Sequence, residues 1–411
     1  MIDNKKISKF SISIVEKLQK NNFQAYLVGG CVRDLLCNIS PKDFDIATNA
    51  TPEQIRKIFK ASRIIGRRFK LVHVFNRSEL IEVATFRSGE NSKNEQSNLV
   101  TDSSGKIIRD NIWGSIEQDC HRRDFTINAL YYCPIKKQIK DFNNGGKHIQ
   151  KKIIVSIGNP QERFREDPVR CLRAIRFSNK LKFKIDAKIK NAIYDKGYLL
   201  DSISNGRLFD EFCKLFLNGA AEKNYKKLSH YGLSNKLIIS NININELSQR
   251  IVYEALRNTD NRIKHKKSVT PGFLLAAMLW PVLIEKSMKN NEINLRKFFR
   301  SMDQILKNQQ KLTAIPRKFI SYIKDIWVLQ LKLHSRIGKQ PYKTVKHPRF
   351  RAAYDFLLIR ERATQDNGGT GKWWTDFQKN NDEIKKIRIE ELLEKKGEDF
   401  TKIFGFYEEL R

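Results

Sequence analysis

Leu27-Val28-Gly29-Gly30-Cys31-Val32-Arg33-Asp34, followed by Pro41-Lys42-Asp43-Phe44-Asp45-Ile46, is the stretch on which the reading of this chain turns. Extended backbone repeats every two residues, so Asp43 and Asp45 project from one face of a strand over Phe44–Ala47. Two adjacent carboxylates repel and raise each other's pKa, and a divalent cation between them relieves the repulsion. Carboxylate oxygens suit Mg²⁺, which also binds substrate phosphates. Gly29-Gly30 falls at a strand-to-helix junction, where the backbone opens to phosphate and a helix N-terminus favours negative charge. Arg33, about one turn along, adds charge toward a triphosphate. The stretch is not a P-loop, because no G-x-x-x-x-G-K-[ST] occurs in the chain. Metal and phosphate together imply phosphoryl transfer.

The chain has 411 residues, enough for two or three domains, and carries 78 Lys and Arg against 45 Asp and Glu, a net +33. That excess points to a polyanionic partner, with nucleic acid ahead of an anionic membrane. Lys-, Ile- and Asn-rich composition accounts for part of the charge, but not for the clustering of Arg. The apolar run Phe273–Ile284 contains Pro281 and is shorter than the roughly 20 residues of a membrane span, so a buried core helix is expected. Met1-Ile2-Asp3-Asn4-Lys5-Lys6 is not a signal peptide. The cysteines form no C-x-x-C pair and accompany no His cluster, which argues against zinc and for reduced thiols in the cytoplasm.

Apolar periodicity predicts a helix over 7–22, a strand at Ala25–Val28 and a helix from Cys31 to Leu36. Thr51-Pro52-Glu53 opens another helix, with Thr51 as cap. Leu71–Phe75 and Leu80–Phe86 read as a hairpin-like pair of strands. Residues 87–106 read as a polar loop, and Phe125–Tyr132 as a core helix or strand. Asn143-Asn144-Gly145-Gly146 is a turn cluster and a boundary. From Glu162 onward the pattern is helical, with no convincing strand after Val155. Residues 366–371 read as a linker and 373–411 as a charged amphipathic segment.

Here the chain resembles a known family. Leu-Val-Gly-Gly-x-Val-Arg-Asp followed by Asp-x-Asp is similar to the class II nucleotidyltransferases, the group of bacterial poly(A) polymerases and tRNA CCA-adding enzymes. Arg122-Arg123-Asp124-Phe125-Thr126-Ile127-Asn128-Ala129 resembles the family's R-R-D-[FL]-T-[IM]-N-A. Glu166-Asp167-Pro168-Val169-Arg170-Cys171-Leu172-Arg173-Ala174-Ile175-Arg176-Phe177 resembles E-D-P-x-R-x-L-R-x-x-R-F. The resemblance implies an α+β fold: a small mixed-sheet nucleotidyltransferase head (1–152), then an all-helical neck (153–225) and RNA-binding body (226–365), with a linker and charged segment at 366–411. It implies a catalytic set of Asp43, Asp45 and Asp124. Gly29, Gly30, Arg33, Arg123, Asp167, Arg170, Arg173 and Arg176 are the implied nucleotide-binding set. Two Mg²⁺ ions on Asp43 and Asp45 would divide the work between activating an RNA 3′-hydroxyl and gripping the triphosphate. Asp124 is either the third carboxylate or an ion-pair partner of Arg122 or Arg123. Glu82, an acid between apolar strand residues, is a weaker candidate that could equally face water.

Asp167 and Arg170, three apart, would share one helical face. An Asp accepting from an exocyclic amine and an Arg donating to a ring nitrogen fit adenine and cytosine equally, and oppose guanine and uracil. The same residues also fit ordinary helix capping and a solvated basic stripe. The segment Ile64–Val74 resembles the poly(A) polymerases more than the CCA-adding enzymes, as do Pro271–Trp280, Asp325–Leu331 and His347–Asp355. The resemblance therefore implies untemplated addition of AMP from ATP to RNA 3′ ends, tagging RNA for decay. The alternatives are CCA addition to tRNA or RNA binding without turnover. Arg336, Lys339, Lys343, Lys346, Arg349 and Arg351, interleaved with Tyr342 and Phe350, could grip single-stranded RNA by charge and stacking. They could equally form a solvated helix face over core aromatics. Trp373-Trp374 is expected to pack. RNA-decay proteins are compatible as partners, and no membrane partner is expected. Two departures stand out. His148 occupies the Asp position of the family's G-G-x-x-D-L turn, and the end, Glu408-Glu409-Leu410-Arg411, is mixed rather than basic.

Overall fold

The computed structural model describes residues 2–66, 70–88, 100–101, 107–109, 113–239, 246–289, 292–365 and 369–395. The chain divides into two compact units, residues 1–199 and 200–411.

The first unit is built on a seven-stranded mixed sheet. Its strands are β1 (Ala25–Val28), β2 (Asp45–Thr48), β3 (Ser62–Ile65), β4 (Leu71–Phe75), β5 (Leu80–Thr85), β8 (Leu130–Cys133) and β9 (Gln138–Asp141), in the order β3-β4-β5-β2-β1-β8-β9. A side ribbon pairs β6 (Val100–Thr101) with β7 (Ile107–Arg109). Within this seven-stranded sheet β2 and β5 are the one neighbouring pair that runs parallel, which sets Asp45 directly opposite Glu82. The central strands carry Leu27, Ile46, Val83 and Tyr131, all fully buried. Helix α1 (Lys9–Lys20) buries Ile14, Val15 and Leu18 and is capped by the Ser8 side chain. Helix α2 (Gly30–Leu36) follows β1 directly, and α3 (Pro52–Ile58) carries a Thr51–Gln54 capping box. Then come α4 (Ile116–His121), α5 (Gly145–Gln150), α6 (Pro160–Glu166), α7 (Val169–Leu181) and α8 (Ala187–Lys196).

The expected α+β class and hairpin pair are found, with small shifts. The strand bearing the carboxylates starts at Asp45, so Asp43 lies just ahead of it. Phe125–Tyr132 is both expected forms in succession, a 3-10 turn at Thr126–Asn128 and then β8. Strand β9 was not foreseen, because its exposed residues Gln138–Asp141 show no apolar face. Past Val155 the described residues hold only two-residue strands. One, β11 (Lys184–Ile185), pairs in parallel with β10 (Ile153–Ile154), and β12 (Met288–Lys289) pairs with β13 (Glu292–Ile293). Most of the 87–106 loop, and the C-terminal segment past residue 395, lie outside the described residues.

The second unit is helical: α9 (Asn205–Phe216), α10 (Ala221–His230), α11 (Glu246–Lys264), α12 (Pro271–Ser287), α13 (Leu295–Leu312), α14 (Arg317–His334), α15 (Gln340–Val345), α16 (Phe350–Thr364), α17 (Thr370–Lys379) and α18 (Asp382–Lys395). Helix α12 is the buried core helix expected from its apolar run, with Leu274–Leu283 enclosed and Pro281 inside it. The Trp327 indole donates to the Ala276 carbonyl at 2.9 Å. Trp374 is fully buried and donates to the Leu333 carbonyl at 2.7 Å, so the tryptophan pair packs. Among the described residues no helix is long and apolar enough to cross a membrane.

The turn Asn144-Gly145-Gly146 is clamped by Asp141, whose carboxylate accepts from the Gly145 and Gly146 amides at 2.8 and 2.9 Å. His148, the departure noted above, bonds the Thr126 hydroxyl through Nδ1 at 2.9 Å and so ties this turn to the segment after Asp124. A Cβ on Gly145 would run into the Thr126 carbonyl oxygen, which belongs to backbone and cannot swing aside. Gly145→Ala is therefore expected to destabilise the first unit by about 1–3 kcal/mol, read as a lower denaturant midpoint. Gly146→Ala, where a Cβ meets only the Asp141 side chain at 3.4 Å, should cost less.

Candidate active site

Asp43 is exposed, Phe44 buried, Asp45 half-buried and Ile46 buried, so the two carboxylates share the face opposite the apolar pair. Burial, the Glu82 carboxylate opposite and Asp43 together push the Asp45 carboxyl up to about 6, against the pull of Arg123. An acidic pair whose ionisation is opposed this way, built of hard oxygen donors, fits Mg²⁺. Among the described residues no group of three or more metal-binding side chains gathers. The fit therefore rests on Asp43 and Asp45, with water and phosphate oxygens to complete a shell. Glu82, which sequence reasoning left as a weak candidate, is the carboxylate in direct register with Asp45, and it also bonds His73 Nε2 at 3.4 Å.

Gly29, Gly30, Arg33, Asp45, Arg123, Asp124, Asp167, Arg170 and Arg173 line one cleft of about 360 Å³. Asp43 and Arg176 are not on its wall; Arg176 lies 4.4 Å from the Phe177 ring centroid. Gly29 has φ +75°, and a Cβ there would sit 3.2 Å from Arg123 Nη1, so the glycine makes room for that guanidinium. Its own N–H donates to the Leu130 carbonyl at 3.1 Å.

Each of three cleft arginines is held by a buried carboxylate. Arg33 grips Asp34 through Nε at 2.8 Å and Nη2 at 2.6 Å, and donates to Asn128 Oδ1 at 2.5 Å. Lys180 reaches the other Asp34 oxygen at 2.9 Å. Arg123 is held by Asp119 at 3.0 Å and by the Tyr131 hydroxyl at 3.1 Å. Arg173 holds Asp124 through Nε at 2.7 Å and Nη2 at 2.6 Å. The other Asp124 oxygen accepts from Phe125 N and Asn128 Nδ2 at 2.7 and 3.0 Å. Burial opposes its charge, but Arg173 and these donors hold Asp124 below the usual carboxylate range. The ion pair foreseen for Asp124 with Arg122 or Arg123 is thus replaced: both of those arginines turn to Asp119, and Asp124 takes Arg173. Asn128 and Phe177 also line the cleft and were not foreseen. Arg33 and Arg173 both stand over the Phe177 ring, at 4.9 and 5.3 Å.

Asp167 and Arg170 do not lie on one helical face. Asp167 is extended, φ −145°, in the break between α6 and α7, and its side chain accepts from Val169 N at 3.3 Å. Arg170 is braced by Glu166 at 3.0 Å and the Arg163 carbonyl at 2.9 Å. Both still reach the cleft. In the second unit, Lys339, Lys343, Arg349 and Arg351 are exposed. Arg336 is not: it is buried over the Trp373 ring, at 5.6 Å. The interleaved aromatics are also interior, with Phe350 against Trp374 and Tyr342 against Phe377. The apolar faces of α15 and α16 claim them for packing, so they offer no stacking platform.

Asp119 is the residue sequence reasoning missed. It is buried and accepts from Arg122 at 2.9 Å, Arg123 at 3.0 Å and the Tyr131 hydroxyl at 2.7 Å. Burial works against its charge, yet Arg123, Arg122 and Tyr131 bring its carboxyl from 3.8 down to about 2. A lowered carboxyl contributes stability that is present above its unfolded pKa and lost as pH falls through its folded one. Asp119→Asn should therefore cost about 2 kcal/mol at neutral pH. In denaturant melts, the gap from the unsubstituted protein should close as pH falls from about 4 toward about 2.

Comparison with known proteins agrees with this architecture. Residues 25–155 match the family model described as the poly A polymerase head domain. Residues 182–239 match the probable RNA and SrmB-binding site of polymerase A, and 290–402 the polymerase A arginine-rich C-terminus. Poly(A) polymerase I of Salmonella typhi is 40% identical over 403 residues, covering 95% of this chain and 87% of that protein. A CCA-adding enzyme of Bacillus cereus (strain AH187) is 38% identical over 220 residues, 54% of this chain and 53% of that one. Among solved structures, the Bacillus stearothermophilus CCA-adding enzyme in complex with CTP superposes with a TM-score of 0.59 at 26% identity, over 90% of this chain and 80% of that one. With such identity over nearly the whole of both proteins, this chain belongs to the poly(A) polymerase family.

Proposed function

We propose that this chain transfers AMP from ATP to the 3′-hydroxyl of RNA without a template, releasing pyrophosphate, through the cleft around Asp45. The observation that carries the reading is the cleft itself. Asp45 lines it together with Arg33, Arg123 and Arg173, each fixed by its own carboxylate, and with Asp167 and Arg170. Mg²⁺ held by Asp43 and Asp45 would neutralise the triphosphate and lower the pKa of the attacking hydroxyl.

The chain's own residues divide the remaining work. Arg33 and Arg123 face the phosphates from either side of the Gly29-Gly30 junction, donating to non-bridging oxygens as charge moves toward pyrophosphate. Because Asp34 and Asp119 already orient them, little reorganisation is needed during the reaction. Asp167 accepts from the exocyclic amine of the base and Arg170 donates to its ring nitrogen. Asp124 acts through Arg173, holding it against the cleft, and Gly29 keeps the phosphate path clear of a side chain. The head is read as 1–152, the neck as 153–225 and the RNA-holding body as 226–365. Lys339, Lys343, Arg349 and Arg351 supply backbone contacts to the strand, and the enzyme works in the cytoplasm.

The test is extension of labelled RNA with ATP, CTP, GTP and UTP offered separately in Mg²⁺. Long adenylate tails with ATP alone are expected. Growth that requires CTP and stops after three nucleotides on tRNA would make the chain a CCA-adding enzyme instead. Asp43→Ala should lower extension by at least about 10²-fold while RNA binding is kept. Normal extension by that variant would remove the metal assignment.

A further inference from the structure

A second concavity lies in the helical unit, between α11 and α16, with a volume of about 170 Å³. Its wall carries Arg262, Lys267, Arg351 and Arg362 against a single carboxylate, Asp355, with the amide of Asn258 beside them. Asp355 is the organiser. Its oxygens take Arg262 of α11 at 3.4 Å and Arg351 of α16 at 3.1 Å, so one acid from α16 sets two guanidinium forks from two helices around the same hollow. Arg262 also donates to the Ser268 carbonyl at 3.1 Å, which leaves further N–H groups of its five for a ligand. Among the described residues Arg362 makes a single, long ion-pair contact, with Glu254 at 3.9 Å, and Lys267 has no carboxylate partner.

We infer that this hollow is a phosphodiester-binding subsite that holds the RNA strand on the helical unit. The inference rests on the reading of the chain as an enzyme acting on RNA 3′ ends, and it names where the body grips that RNA. A hollow with four cations and one acid concentrates positive potential, as an exposed helix face does not. Guanidinium forks match the planar pairs of phosphate oxygens, and an amide at the rim suits a ribose hydroxyl. The lining is polar apart from Leu358, so it offers no apolar socket for a protein side chain. The groove also gathers side chains from α11, distant in sequence from the α15–α16 basic cluster, and only Arg351 is shared between them.

The test is anisotropy of a labelled single-stranded 20-mer oligoadenylate on the full chain, without ATP, across a salt series. The double variant Lys267→Ala/Arg362→Gln removes two exposed charges that make no close ion pair, so the fold is expected to hold. Its Kd should rise about tenfold near 0.1 M salt, and the slope of log Kd against log salt should fall by about 1.4, the loss expected for two phosphate contacts on a single strand. Lys307→Ala/Lys311→Ala on α13 removes the same charge elsewhere and should change Kd less than twofold. In extension assays the groove variant should raise KM for RNA and leave kcat near its starting value. Equal losses in the two double variants would reduce the effect to net charge and overturn the subsite. A groove variant that binds like the unsubstituted chain, while that chain extends RNA, would overturn the subsite alone. If the unsubstituted chain incorporates no nucleotide, the underlying reading falls and the subsite falls with it.

Discussion

The parallel register of β2 and β5 sets Asp45 beside Glu82, and the organisation of the first unit answers to that placement. Left alone, the contact is unfavourable: like charges abut on a half-buried face, with Asp43 one step away, and the Asp45 carboxyl rises in response. A fold gains no stability from such an arrangement. In the proposed reading, Mg²⁺ and the triphosphate it carries would complete the charge balance. The sheet fixes the acids rigidly because Ile46 and Val83, the next residues on each strand, are buried.

Arginines line the same cleft as Asp45, and each is held in place by a partner. Free guanidinium groups would swing onto Asp45 and neutralise it. Instead Asp34, Asp119 and Asp124, all buried, take Arg33, Arg123 and Arg173 in turn. Each pair leaves the arginine charged and oriented, as the proposed phosphate site would require. The Phe177 ring supports two of them from α7, and Lys180 on the same helix ties back to Asp34. The helix carrying Arg170 and Arg173 and the strand-to-helix junction carrying the glycines are thereby tied together.

Much of this was legible in the sequence because it is local. The period of two around Phe44 gave the shared face of Asp43 and Asp45, the glycine pair gave the β1–α2 junction, and the unbroken apolar run gave α12. The misses turn on how the local pieces are assembled. Which strand runs beside β2 is set by tertiary pairing, so the importance of Glu82 could not be weighed. Asp119 looks like one more acid in a polar stretch until Arg122, Arg123 and Tyr131 fold over it. A signal existed there, since Asp119 stands three and four residues before the two arginines, the spacing of helical ion pairs. Spacing also misled: Asp167 and Arg170 are three apart but straddle the α6–α7 break. Arg336 reads as surface charge, yet a hydrophobic cluster around Trp373 encloses it.

The most direct test of the account is calorimetric titration of a non-hydrolysable ATP analogue, with and without Mg²⁺, into the unsubstituted chain and into Asp45→Asn. The account predicts that Mg²⁺ strengthens nucleotide binding in the first and that this Mg²⁺-dependent gain disappears in the second, while the weaker metal-free binding persists through the arginines. An equal Mg²⁺-dependent gain in both proteins would contradict it.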